Sequence, residues 1–324
     1  MRRRGLIVAA TAASASRAAA QGAPAVPRVG WLRLQGPDYA PGQLRAFTDA
    51  MAALGHVEGR SYVLEPRYGD GAAASQPPLA ADLVMSGVAV IVATSQPSTE
   101  AAWRTTRSVP IVGRMTDDPV QAGLALGLAR PGGNVTGVYT LLEEMSPKRL
   151  ALLREAVPSL RRVGALLQIG RGATARWLAA TRDAAAQMGV ELRTFEMTGA
   201  DGLDALFAEL SAQRIDGLVG FRNPVLVTHD RRIAALAERH DLPAIFDARE
   251  FVEAGALMSY GPNLEALFRR AASHVDRLLR GASPSELPIE QPTTFELVVN
   301  MRTARAIGLA LAPGLLARAD EVIE

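Results

Sequence analysis

The stretch Val109–Gly137, VPIVGRMTDDPVQAGLALGLARPGGNVTG, decides the fold. Pro110–Met115 is an apolar run of strand length, and Thr116-Asp117-Asp118-Pro119 makes a polar mouth after it. Val120–Leu128 reads as a short helix, Gly132-Gly133-Asn134 as a turn, and Asn134–Tyr139 as a second strand. Open α/β sheets place ligands at polar clusters beyond the carboxyl ends of parallel strands. The stretch therefore joins a candidate binding site to a candidate crossing between two lobes.

The same rhythm continues on either side. Upstream, Arg28–Leu34, Ser61–Tyr68 and Val88–Thr94 read as strands, and Gln43–Leu54, Pro78–Ser86 and Thr99–Thr106 as helices. Downstream, strands are expected at Arg162–Gln168, Glu191–Glu196, Gly217–Phe221, Pro243–Phe246 and Ala256–Tyr260. Helices are expected at Pro147–Ala156, Ala173–Met188, Gly202–Ala212, Thr228–His240 and, for one turn, Arg249–Glu253. Leu264–Leu279 is a long amphipathic helix, Leu287–Thr294 and Glu296–Asn300 read as closing strands, and two short helices end the chain at Arg302–Ile307 and Pro313–Ala319. Strands alternating with helices predict α/β architecture with parallel sheets. More than ten strands in about 300 residues is too many for one sheet of ordinary size, so the chain reads as two doubly wound lobes with a cleft between them. The expected division is 27–140 plus 263–324 for the first lobe and 141–262 for the second.

Residues 1–20 have the shape of a secretory signal peptide: basic Arg2-Arg3-Arg4, a short apolar run, and small residues at Ala18-Ala19-Ala20. A disordered basic tail is the alternative, and Arg3-Arg4 also fits a twin-arginine signal. The apolar run is too short to span a bilayer. The chain of 324 residues holds 35 basic and 33 acidic groups; the leader carries four of the arginines, so its removal leaves 31 against 33. That balance gives no basic footprint for nucleic acid. There is no cysteine, hence no disulfide, thiolate metal site or lipid anchor on cysteine, and direct membrane insertion is not expected. The four histidines, His56, His229, His240 and His274, lack metal-ligand spacing, and neither a phosphate loop nor a nucleophile elbow occurs. No cofactor is expected from these patterns.

One motif points elsewhere. Gly170-Arg171-Gly172-Ala173-Thr174-Ala175 is a GxGxxA between a strand and a helix, with Glu196 about 20 residues on, as in dinucleotide sites. A Rossmann-type oxidoreductase is therefore one alternative function. The polar loops after strands favour binding instead: Gln35–Tyr39, Ser95-Gln96-Pro97-Ser98, Thr116–Asp118, Thr140–Glu143, Gln168, Arg222-Asn223, Asp247–Glu250 and Ser259–Asn263. Hydroxyls and backbone N–H groups at Ser95–Ser98 suit a carboxylate, Asp117 or Asp118 an ammonium, and Arg222 an acid. Of the adjacent acids, only one is expected to face the cleft. Ser98 and Thr228 are expected as helix caps. Tyr39, Phe221, Phe246 and Tyr260 are candidates for an apolar wall.

Taken together, PRVGWL (27–32), LGHVEGRSYVLEPRYGDG (54–71), TDDPVQAGLALGLARPGGNVTGV (116–138), SPKRLALLREAVPSLRRVGAL (146–166) and REFVEAGALMSYGPN (249–263) resemble the tryptophan/tyrosine-type substrate-binding proteins of ABC transporters. The resemblance runs over nearly all of the chain after the leader. It implies a type I periplasmic-binding-protein fold: two Rossmann-like lobes, a multi-strand hinge, and closure over a small ligand, possibly an amino acid. It also implies a location in the periplasm, and a membrane permease and ATPase as partners. Ser95, Asp118 and Asn223 stand where relatives carry polar ligand contacts. Asp117 replaces a common glycine, Arg222 a shorter polar residue, and QIGRG an Asn-Pro type of loop. A periplasmic sensory protein that reports its ligand to a receptor is the remaining alternative.

Overall fold

The computed structural model describes residues 26–141, 144–168, 172–197, 199 and 201–324. The expected leader, and Gly170 and Arg171 of the GxGxxA run, lie outside them. The first sheet is built from β1 (Arg28–Arg33), β2 (Val63–Tyr68), β3 (Val90–Ala93), β4 (Ile111–Met115) and β5 (Val135–Tyr139). Its order is β11-β5-β4-β3-β1-β2, where β11 is Ile289–Glu290. Between these strands lie α1 (Pro41–Ala53), α2 (Gln76–Met85) and α3 (Gln96–Thr105). β3, β4 and β5 are buried at every position, as strands covered on both faces must be.

The second sheet is built from β6 (Arg162–Leu167), β7 (Glu191–Glu196), β8 (Gly217–Gly220), β9 (Ala244–Phe246), β10 (Met258–Pro262), β12 (Phe295–Asn300) and β13 (Glu321–Ile323). Its order is β13-β12-β10-β9-β8-β6-β7, and β12 runs antiparallel to β10. Its helices are α4 (Ser146–Ala156), α5 (Gly172–Met188), α6 (Leu203–Ala212), α7 (Pro224–Thr228), α8 (Asp230–Arg239), α9 (Arg249–Glu253), α11 (Met301–Ala306) and α12 (Pro313–Leu316). The chain passes between the sheets three times, after β5, after β10 and after β11. These crossings are the hinge of a two-lobed α/β protein.

The tail divides between the lobes. α10 (Leu264–Leu279) turns Leu267, Phe268, Ala271 and Val275 inward and packs on α1 beneath the first sheet, with Trp31 between Phe47 and Phe268 at ring distances of 5.3 and 5.2 Å. From Phe295 on, however, the strands join the second sheet, so 263–324 does not return to the first lobe as a unit. β12 is recruited by long-range pairing with β10, which no local pattern announces. β13 pairs parallel with β12 at the sheet edge, where no strand was expected.

Two other expectations change. Val120–Leu128 forms turns, not a helix: Gly123 sits at φ +72, and the N–H groups of Leu124 and Ala125 both donate to Pro119 O. Glycines at 123 and 127 make helix costly there. The expected helix Thr228–His240 is two helices, α7 and α8, with His229 between them.

Glycine has a steric cause at two strands near the hinge. A Cβ on Gly137, whose φ is +126, would stand 2.2 Å from Gly113 O across the β4–β5 pair. A Cβ on Gly261 in β10 would stand 1.8 Å from Asp247 O. Both contacts are with backbone, so neither neighbour has a side chain to swing away.

Candidate functional site

A cavity with about 620 Å³ of empty space, counting the solvent at its mouth, opens between the carboxyl ends of the two sheets. From the first lobe it is lined by Leu34, Gln35, Tyr39, Gln43, Thr94–Pro97, Arg114, Thr116 and Asp117; from the second by Phe221–Pro224 and Val227.

Two helix starts face the cavity from opposite lobes. Ser95 caps α3, and its Oγ accepts the Ser98 N–H at 3.2 Å. Asn223 caps α7, and its Oδ1 accepts the Leu226 N–H at 2.9 Å. Each is followed by proline in the first turn, where the missing N–H costs nothing. The caps are thus Ser95 and Asn223; Ser98 and Thr228, expected in that role, are not caps. Ser98 is fully buried, its hydroxyl donating to Gln76 Oε1 at 2.7 Å, and supports the cap from beneath.

Gln96 ties the mouth of β4 to α3. Its Oε1 accepts the N–H of Thr116 at 3.1 Å and of Asp117 at 3.3 Å, while its Nε2 donates to Glu100 at 2.9 Å. Of the adjacent acids, Asp117 lines the cavity. Asp118 turns away, its Oδ1 accepting the N–H groups of Val120 and Gln121 at 2.8 and 3.2 Å. Thr140 is buried beside the hinge and donates to Met115 O at 3.1 Å, so it does not reach the cavity. Gln168 lines a second, more open groove with Asp70–Ala74, Pro224, Val225, Thr228 and His229. Tyr39 and Phe221 line the wall, whereas Phe246 stacks on Phe251 and Tyr260 packs on Phe295.

The charges form a chain across the lobes. Arg33 at the end of β1 donates to Gln43 Oε1 at 2.8 Å; Gln43 Nε2 donates to Glu250 Oε1 at 2.6 Å. Glu250 Oε2 lies 3.8 Å from Arg222, and Arg222 Nε donates to Asp247 Oδ2 at 2.7 Å. Arg222, expected to hold an acid group of the ligand, is already ion-paired by protein carboxylates, and Asp247 stands behind it and does not line the cavity. Burial pulls the Arg222 pKa down, but Asp247, Tyr39 and Glu250 outweigh it and hold the group above its usual value. Burial pushes the Tyr39 phenol well up, so it is a neutral donor at any ordinary pH.

Gln43 and Arg114 were missing from the sequence expectation. Gln43 lies in the first turn of α1, at the start of the expected helix Gln43–Leu54. Arg114 was hidden inside an apolar strand, although a lone arginine in such a run is itself a signal, because charged side chains are almost never buried without a reason. It is 7% exposed, and burial together with the Arg222 charge lowers its pKa to about 10.

Among the described residues no group of side chains is arranged to hold a metal ion, and no helix is long and apolar enough to cross a membrane. The sequence model of the family described as "ABC transporter substrate binding protein" matches residues 44–323. A tyrosine-binding protein of Clostridioides difficile (strain R20291) is 23% identical over 265 residues, which is 82% of this chain and 76% of the relative. Among solved structures, an ABC domain from Streptococcus pneumoniae in complex with L-Trp superposes with a TM-score of 0.83 at 19% identity, covering 92% of this chain and 99% of that one. A ligand-free, open substrate-binding protein with adhesive properties from Clostridium difficile gives 0.69 at 22% identity, over 92% and 99%. The matched family is one of transporter binding proteins, which gives the oxidoreductase alternative no support. The fold, the cavity between its lobes and a match over most of the sequence agree: the chain belongs to the ABC transporter substrate-binding protein family.

Proposed function

We propose that this protein is the exported receptor of an ABC importer, closing over an amino acid or small carboxylate and delivering it to a membrane permease with its ATPase. The leader at 1–20 would carry it to the periplasm and be removed there. The lobes that close would be 27–140 with the α10–β11 segment, and 141–262 with the β12–β13 tail.

One observation carries the reading. The hydrogen bond of 2.6 Å from Gln43 to Glu250 spans the lobes beside a cavity lined by helix starts from both. Such a contact exists only when the halves are together, and a solute that touches both walls favours that state by its differential affinity. The tyrosine and L-Trp named for two relatives support amino acids as the first solutes to try.

The test is a thermal-shift and calorimetric screen of the purified protein against L-tryptophan, L-tyrosine, an aliphatic amino acid and small carboxylates. A solute at 100 times its Kd is expected to add about 2.7 kcal/mol of stability. A protein unmoved by every member rules out this solute class. Uptake of the bound solute by vesicles carrying the cognate permease, lost when the receptor is omitted, tests delivery.

A further inference from the structure

We propose that Arg114 is an anion anchor, held in the cavity wall to receive the acid group of the ligand, and that it makes the site select small carboxylates over their uncharged analogues. This rests on the reading of the cavity as a solute site.

Arg114 is the penultimate residue of β4, a strand buried at every position. Among the described residues its guanidinium makes one hydrogen bond, from Nε to Thr94 O at 2.7 Å. Its Nη1 is buried and makes none. The carboxylates of the second lobe are engaged elsewhere, Asp247 by Arg222 and Glu250 by Gln43 and Arg222. Arg33, with no acid at hydrogen-bonding distance either, is held by Ala40 O and Gln43 Oε1 and does not line the cavity. Of the two arginines that line it, Arg222 is ion-paired, and Arg114 has no acid at hydrogen-bonding distance among the described residues.

A buried cation without a counter-charge is expensive, and a site that keeps one does so at a cost in stability. The planar guanidinium suits a carboxylate, which takes two N–H groups at once. Tyr39 lies within electrostatic reach of Arg114 on the same wall, and its buried hydroxyl stands close to Arg222. Guanidinium and phenol together offer donors to both oxygens of an acid. A carboxamide brings its own N–H groups toward these donors and no charge.

The experiment compares wild type with Arg114→Met by calorimetric titration, using L-tryptophan, L-tyrosine and 3-phenylpropionate against L-tryptophanamide, L-tyrosinamide and 3-phenylpropanamide. In the wild type the acids are expected to bind about 10- to 100-fold tighter than their amides, the range of a charged hydrogen bond. In Arg114→Met that preference is expected to fall towards unity. Amides that bind wild type as well as acids do, or an undiminished preference in the variant, overturn the proposal. A second measurement needs no ligand: urea unfolding without added solute. A variant midpoint equal to or above that of wild type supports a cation kept for a ligand, and a lowered midpoint overturns it by making Arg114 a structural group. If no member of the panel binds the wild type, the solute class is at fault, and the urea comparison still decides the role of Arg114.

Discussion

The two helix starts at the cavity share one backbone geometry and differ in charge. Ser95 sits at φ −152, ψ 164 and Asn223 at φ −148, ψ 165; each accepts the N–H three residues on. Beside Asn223, Arg222 is neutralised within its own lobe by Asp247 and Glu250. On the facing wall, Arg114 has a backbone carbonyl and, among the described residues, no acid at hydrogen-bonding distance. The scaffold is repeated, whereas the electrostatics are not. The second lobe sets one arginine against two acids, and the acid in excess acts across the cavity on Arg114 without bonding it.

The largest way to break that comparison is Arg222→Ala. It would leave Asp247 and Glu250 buried without their cation, and a broken buried pair typically costs about 3–5 kcal/mol. Urea unfolding should register the loss, and Arg222→Met with Asp247→Leu should recover much of it. A loss below about 1 kcal/mol would mean that the second wall does not depend on its ion pair.

Next in size is the bond that joins the walls. Gln43→Ala removes the donor to Glu250 and the acceptor for Arg33 together, leaving both buried groups short of a partner. The expected cost is about 1–3 kcal/mol, felt as a shift towards open lobes. Small-angle scattering should report a larger radius of gyration for the variant, and solute affinity should weaken by about tenfold. An unchanged scattering curve would show that closure does not use this contact.

How far the sequence foretold these features depended on whether the signal was local. β3, VIVA, and β8, GLVG, are apolar at nearly every residue and flanked by turns, so strand, parallel sheet and two lobes followed from pattern alone. The mouths were legible too, because Ser95, Thr116 and Asn223 follow such runs directly. The helix starts were misread, since Gln96-Pro97 and Pro224–Val227 carry no helical periodicity; a cap and a proline set them, not an apolar stripe. The allegiance of β12 was invisible because it depends on pairing with β10, more than 30 residues away. Arg222 looked free because its acids come from the loop after β9 and from α9. Arg114 carries no loop signal because it sits within a strand, the penultimate residue of β4.

The helix caps supply a smaller and more even test. Ser95→Ala and Asn223→Ala should each destabilise by about 1 kcal/mol, and glycine at either position by only a few tenths. Ser95→Ala also deprives the Ser98 hydroxyl of a partner at 2.7 Å, though Ser98 keeps Gln76. Near-equal losses in urea would support the repeated scaffold. A loss confined to one lobe would show that the shared dihedral angles conceal different dependence on the cap.

The smallest effect separates the two arginines by the direction of their titration. Arg222 is held above its usual pKa, so it stays charged wherever the protein is folded. Arg114 is drawn down from 12.5 to about 10 by burial, with Arg222 adding to the effect. Below about pH 10 Arg114 is charged in both folded and unfolded chains, and the full cost of burying it is present. As pH rises through 10 the folded chain releases the proton while the unfolded chain keeps it, so this group makes stability rise with pH. Arg114→Met has no such proton. Its advantage over wild type without solute should therefore be constant from about pH 6 to about pH 8, then shrink by under about 1 kcal/mol by about pH 10.5. Over the same upper range wild type should lose its preference for acids over amides. A stability gap that widens with alkali would mean that Arg114 is stabilised by its charge, as Arg222 is, and the contrast between the two walls would be gone.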